Sequence, residues 1–148
     1  MDGMVTDNPA DLNKAAAARL FAAMGAVDTA GIAAEITSDF VLKVPGTCVL
    51  SGERSGHEIA EIFGFVGQVL PNGVQLELHS MTAEEDRVIC HASGTSKTVD
   101  GEPYNQDYLY FLNFRDGKIC RLVEYMDTKL VDARLGERYQ AWIASKDT

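Results

Sequence analysis

The string YNQDYLYFLNFRDGKICRLVEYMDTKLV, Tyr104–Val131, decides the fold. Two runs in it, Tyr104 to Phe114 and Lys118 to Met126, alternate large apolar residues with polar ones, the two-residue period of a half-buried strand. Arg115-Asp116-Gly117 between them fits a three-residue loop with glycine in the left-handed position. That loop sets Tyr110 opposite Leu122, Tyr108 opposite Glu124 and Gln106 opposite Met126. Tyr108, Tyr110, Leu112 and Phe114 then share a face with Cys120, Leu122 and Met126, and Glu124 falls on the same face. After Met126, Asp127 or Thr128 caps a C-terminal helical segment that carries Trp142 and is interrupted at Gly136.

Upstream lies a third strand, Val88 to Val99, closed by Asp100-Gly101, the favoured type I′ pair. With Val99 facing Glu102, His91 falls opposite Tyr110, Ser93 opposite Tyr108 and Ile89 opposite Leu112. His91 and Ser93 then join Glu124 on the apolar face. Val88, Cys90 and Ala92, on the other side of this strand, look equally buried. Either the sheet is covered on both faces, as by a second subunit, or His91 points outward. Before the Glu84-Glu85-Asp86 turn, Val74, Leu76 and Leu78 alternate with Gln75, Glu77 and His79 as a fourth strand.

The N-terminal half is helical. Asn8-Pro9-Ala10-Asp11 starts a helix whose stripe is Leu12, Ala16, Leu20 and Met24, and Gly25 ends it. Asp28 caps a second helix, Thr29 to Ile36, followed by a short strand, Phe40 to Val44, that Pro45-Gly46 terminates. Ser55-Gly56-His57-Glu58 is a capping box opening a helix with Ile59, Ile62, Phe63, Val66, Val69 and Leu70, closed by Pro71-Asn72-Gly73. His57 in its first turn reads as solvated. The order of elements makes one α+β domain over residues 1–148.

Composition agrees. At 46% hydrophobic and 24% charged residues, the chain is neither disordered nor a coiled coil. A net charge of −9 with no Lys/Arg cluster argues against nucleic acid and against anionic lipid as partners. No apolar run approaches a membrane span, and the N-terminus lacks the pattern of a signal peptide. Cys48, Cys90 and Cys120 cannot all pair, which suits a reduced cytoplasm and buried structural thiols. His57, His79 and His91 have no ligand spacing, so no metal is expected. Gly64 and Gly67 follow no strand and form no phosphate loop; close packing of helix on sheet is the expected reason for them. No cofactor is expected.

A carboxylate on an apolar face costs several kcal/mol unless paired or protonated. Tyr108 and His91 are suitable partners for Glu124. Two readings stand: a buried network that only fixes the sheet, or an acid–base group in an apolar cavity.

Tyr104–Val131, with its aromatic start, D-G-K-I turn and E-Y-x-D-T ending, resembles the SnoaL-like branch of the nuclear transport factor 2 superfamily. The Ser38-Asp39-Phe40 strand start, Pro45 and Arg54-Ser55-Gly56 resemble it too. The resemblance implies a cone, a curved antiparallel sheet packed on N-terminal helices around a pocket, in a homodimer or higher homo-oligomer. It implies cofactor-free acid–base chemistry on a hydrophobic small molecule, though such a superfold hosts many reactions.

Residue by residue, the resemblance departs from the family's known enzymes. The ketosteroid isomerase base falls at Lys43-Val44, its oxyanion tyrosine at Leu20 and its protonated aspartate at Tyr110. The epoxide hydrolase aspartate falls at Glu124, its Arg and second Asp at His91 and Ser93. The expected machinery is therefore Glu124 as general acid or base, His91 as proton partner, Tyr108 and Tyr110 as hydrogen-bond donors, and Lys43 if it turns inward. Ser93, Gln106, Leu122, Met126, Leu20 and Val44 would shape the substrate site. A lyase or isomerase acting on an aromatic or polycyclic compound is expected, for example by loss of water or formaldehyde from a phenolic diaryl molecule. Polyketide cyclase and epoxide hydrolase activity are the alternatives, and a non-catalytic dimeric ligand-binding or scaffold protein is the rival class.

Overall fold

The computed structural model describes residues 8–147; segment 1–7, on which the signal-peptide reading falls, lies outside the described residues. Helix α1, Pro9–Gly25, starts as expected, with the Asn8 side chain accepting from the Asp11 amide at 2.8 Å and Pro9 at the first turn. Its end is less expected. The Asp28 amide donates to the Ala23 carbonyl at 2.8 Å and the Val27 amide to Met24 at 3.1 Å, the paired bonds of a Schellman cap. The residue that must turn left-handed there is Val27, at φ 54°. Asp28 then caps α2, Thr29–Glu35, through the Gly31 amide.

Strand β1, Ile36–Val44, leads to a short β2, Gly52–Ser55, which sequence patterning did not reveal. Ser55 and Glu58 form the reciprocal capping box of α3, Gly56–Val69. Strands β3, Gln75–Glu84, β4, Arg87–Thr95, β5, Gln106–Arg115, and β6, Lys118–Met126, form the meander. Asp127 caps α4, Thr128–Lys146, which runs through Gly136 without the expected break. Helix α4 lies over α3, where Phe65 packs on Tyr139 and Trp142 at ring separations of 5.5 and 5.2 Å.

The six strands lie in the order β2-β1-β6-β5-β4-β3, curved and unclosed. The fold is the expected α+β cone, but the sheet is mixed: β1 runs parallel to β6. Five elements, β2, α3, β3, β4 and β5, separate those two strands in the chain, and a crossover of that length permits a parallel pair. No helix of the described residues is long and apolar enough to cross a membrane. Gly64 does not serve close packing, since nothing lies within 4 Å of where its Cβ would be. The close approaches are at Gly25 and Gly73, whose added Cβ atoms would lie 2.6 Å from the Val74 carbonyl and 2.2 Å from the Gly25 carbonyl. They dock the end of α1 against the start of β3.

The two hairpins exchange the turn types that sequence suggests. Asp116 and Gly117 both have positive φ, 52° and 80°, so they make the two-residue type I′ turn, and Arg115 pairs with Lys118. A bulge beyond Phe114 then restores the face, giving Tyr110↔Glu124, Tyr108↔Met126 and Leu112↔Leu122. Cys120 is only half-buried at this bulge, while Ile119 is buried. At the other hairpin Gly101 alone turns left-handed, at φ 84°. The Val99 amide is engaged by the Val69 carbonyl at the end of α3, and Thr98 pairs with Glu102 across a three-residue loop. The β4–β5 register is therefore Cys90↔Tyr110, Ala92↔Tyr108, His91↔Leu109 and Ser93↔Asp107.

Candidate active site

The two register changes have opposite consequences for the site. On β6 the shift is two residues, which conserves the face, so Glu124 stays with Tyr108 and Tyr110. On β4 it is one residue, which inverts the face. Cys90 and Ala92 are buried, whereas His91 is exposed on the outer surface. His91 and Ser93 are corrected accordingly: neither reaches the cavity. There the His79 ring lies 5.0 Å from that of His91, and His79 Nε2 is 2.8 Å from Ser93 Oγ. Lys43 is also exposed, because Phe40, Leu42 and Val44 alternate into the core without a bulge before Pro45. It stands opposite Glu53 on the outer side.

Between the inner face of the sheet and the helices lies a cavity of about 710 Å³, mouth included. Its walls are mostly aliphatic and aromatic: Met24 and Val27 at the end of α1, Leu42 and Val44 from β1, Ile62, Phe63 and Val66 from α3, Leu76 from β3, Leu135 from α4. Its polar groups are Tyr104, Tyr108, Tyr110, Glu124 and Arg54. Val44 and Met126 line it as expected. Leu20 and Leu122 do not; both are core residues, as expected of large apolar groups facing the α1–sheet interior rather than an opening.

Gln106 is likewise buried outside the cavity wall. Its carboxamide accepts from the Asp127 amide at 2.7 Å and donates to the Asp127 carbonyl at 3.0 Å, tying the end of β6 to β5. The same amide nitrogen is 3.4 Å from the Tyr104 hydroxyl, so Gln106 orients a cavity residue without lining the cavity itself.

Glu124 is deep in the protein yet retains some accessible surface, as a cavity-lining group does. Burial pushes its carboxyl up from an ordinary 4.5 to about 7, against the opposing effects of a hydrogen bond with Tyr110 and the charge of Arg54. Burial also raises the phenols: Tyr104 to about 12, and Tyr108 and Tyr110 well above the usual range, with the Glu124 charge adding to each. These hydroxyls remain protonated donors at neutral pH. Tyr110 is fixed by stacking, with Phe21 at 4.3 Å and Tyr108 at 5.2 Å. Sequence reading missed two polar cavity residues, Tyr104 and, opposite Leu42 on β2, Arg54. Its β2 strand is four residues with no alternation, and the capping box at Ser55 drew the reading of that stretch to the helix. A carboxylate poised near neutrality beside aligned phenols and a guanidinium can take up, hold and return one proton while donors stabilise a developing oxyanion. Among the described residues no cluster of three or more His, Cys, Asp or Glu could hold a metal.

An open α+β sheet around an apolar cavity with a few convergent polar groups defines a small-molecule-binding domain. The chain belongs to the SnoaL-like domain family, whose profile matches residues 17–122. Among solved structures it is similar to TerC, crystallised with polyporic acid, at 25% identity and a TM-score of 0.73 over 84% of this chain and 98% of that one. It is similar to BvnE pinacolase from Penicillium brevicompactum at 16% identity and a TM-score of 0.77, over 93% and 99% of the two chains. A protein of the nuclear transport factor 2-like fold from Burkholderia xenovorans gives 22% identity and a TM-score of 0.68, over 84% and 96%. Comparison with curated protein sequences gave no match.

Proposed function

We propose that the protein is a cofactor-independent acid–base enzyme, a lyase or isomerase, acting on a hydrophobic aromatic or polycyclic molecule. The observation that carries this is Glu124: a carboxyl raised to about 7, on the wall of an apolar cavity and bonded to a phenol. It serves as base when ionised and returns the proton as acid, and one such group suffices for an enolisation, a proton shift or an elimination. Tyr110 and Tyr108 donate to the oxyanion that develops. Loss of water or formaldehyde from a phenolic diaryl compound fits this chemistry, with Arg54 in the place first given to Lys43. Epoxide hydrolysis loses support, because the matching positions His91 and Ser93 face away.

The chain works as a homodimer or higher homo-oligomer in this reading. The outer sheet face carries Ile89, Leu109 and Tyr125 exposed, with Phe111 and Val123 half-exposed between them, a patch that a second copy would cover. Three unpaired thiols suit a reducing cytoplasm. The similarity to TerC, co-crystallised with polyporic acid, and to a pinacolase supports a small-molecule substrate. A non-catalytic ligand carrier is the competing reading, favoured by the presence of one carboxylate alone in the cavity wall.

A thermal-shift screen of wild type and Glu124→Gln against phenolic, polycyclic and steroidal compounds separates the two. A ligand at ~100 times its Kd adds about 2.7 kcal/mol. In an enzyme both proteins bind, and kcat falls by roughly 10²–10⁴ in the variant. With Glu124 as base, wild-type kcat/KM rises with pH through about 7. Binding by both proteins with product from neither sinks the catalytic reading.

A further inference from the structure

Six of the seven arginines in the sequence stand at ion-pair distance from a carboxylate: Arg19 with Glu35, Arg87 with Glu84, Arg115 with Asp39, Arg121 with Glu53, Arg134 with Glu102 and Arg138 with Asp100. Arg54 is the exception among the described residues, and it is the one in the cavity wall. One guanidinium nitrogen donates to the Leu50 carbonyl. Glu58 and Glu124 feel its charge only at longer range. A guanidinium carries five N–H donors in a planar fork that matches a pair of carboxylate oxygens. Held half-buried beside aliphatic walls, with one acceptor found, such a group is a charge awaiting a counterion.

We infer that the cavity takes an aromatic or polycyclic acid, its rings against Leu42, Val44 and Phe63 and its anionic oxygens on Arg54. The assignment rests on the reading of this cavity as the substrate site and needs no turnover. It has a consequence for Glu124. The charged or titratable groups facing that carboxyl are Arg54 from β2, Tyr108 and Tyr110 from β5, and Tyr104 from the preceding loop, with Cys48 and Asp127 near Tyr104. Arg54 is the only cation among them. An anion that neutralises it removes the one positive influence on Glu124 and adds a negative one, so binding draws a proton from solvent onto the carboxyl.

Isothermal titration with 2-naphthoate, 2-hydroxy-1,4-naphthoquinone and neutral 2-naphthamide tests this on the whole protein at pH 7. The first two probes distinguish a carboxylate from an acidic enol. At least one anion should bind roughly ten- to hundredfold more tightly than the amide, the scale of a charge-assisted fork. Arg54→Gln should bring that ratio to about one and Arg54→Lys should keep part of it. Titration in phosphate and in Tris should reveal uptake of up to ~0.5 proton by wild type and none by Glu124→Gln. Equal affinity for amide and anions, an unchanged ratio in Arg54→Gln, or no binding by any probe overturns the assignment. Anion preference without turnover would leave it standing and retire the acid–base enzyme instead.

Discussion

Replacing Glu124 by Gln should make the protein more stable, and by an amount that depends on pH. In the unfolded chain this carboxyl titrates near 4.5; in the folded protein burial moves it to about 7. A raised carboxyl means the native state binds its proton more tightly than the unfolded state does. Its stabilising contribution is complete below about 4.5 and is lost progressively as pH rises through about 7. At about 1.4 kcal/mol per pH unit between the two values, wild type should forgo roughly 3 kcal/mol at pH 8.5 that it retains at pH 4.5. Gln keeps an oxygen for the Tyr110 hydroxyl and carries no charge, so it escapes this loss. For a domain of this size about 2–4 °C accompanies each kcal/mol, which puts the variant about 6–12 °C above wild type at pH 8.5. The gap should close as pH falls to 4.5. Asp39, Glu58 and Glu61, all lowered by their partners, titrate alike in both proteins and cancel in the difference. Melting curves from pH 4.5 to 8.5 measure it. A gap that stays constant with pH, or a variant less stable at pH 8.5, would refute the buried, reluctantly ionised carboxylate.

Two backbone positions give further tests. Val27 holds φ 54° with a β-branched side chain, a conformation that costs roughly 1–2 kcal/mol for any residue but glycine. Val27→Gly should therefore leave Tm unchanged or raise it, within about 1 kcal/mol, although it removes cavity-lining methyls; a loss above about 1.5 kcal/mol would disprove the strain. At Gly94 an added Cβ would lie 2.5 Å from Val74 Cγ1 and 2.9 Å from Tyr108 Cε2. Gly94→Ala should cost about 1–3 kcal/mol by overpacking and displace the Tyr108 ring, visible as a changed near-ultraviolet circular dichroism spectrum; an unchanged spectrum with full stability would refute it.

Much of this was readable from residues, and the parts that were not failed for local reasons. Glu124 could be placed among the tyrosines because alternation on β5 and β6 tolerates a slip of two, and the β6 bulge happened to restore parity. His91 could not, because its face hangs on one hairpin, and the Val99 amide is taken by the Val69 carbonyl of a helix 30 residues earlier in the chain. No local motif encodes that bond. The apolar run Val88, Cys90, Ala92, all fully buried, was the better guide. Lys43 was decidable from Phe40, Leu42 and Val44 alone. Arg54 was hidden because an edge strand of four residues has too few positions for a period to emerge. The parallel β1–β6 pair joins segments about 80 residues apart, beyond any short-range signal.

That parallel pair also divides the cavity wall into a part that holds still and a part that can open. Strand β6 carries Glu124 between β1 and β5, laddered on both sides. Strand β2 carries Arg54 at the sheet's rim, laddered to β1 over four residues and to nothing beyond. Amides of β6 exchange with solvent only when the sheet as a whole comes apart, whereas those of β2 exchange through local unzipping. On the proposed function, a bulky molecule would therefore enter or leave beside β2 on the timescale of a fraying edge, while the Glu124 carboxyl keeps its place.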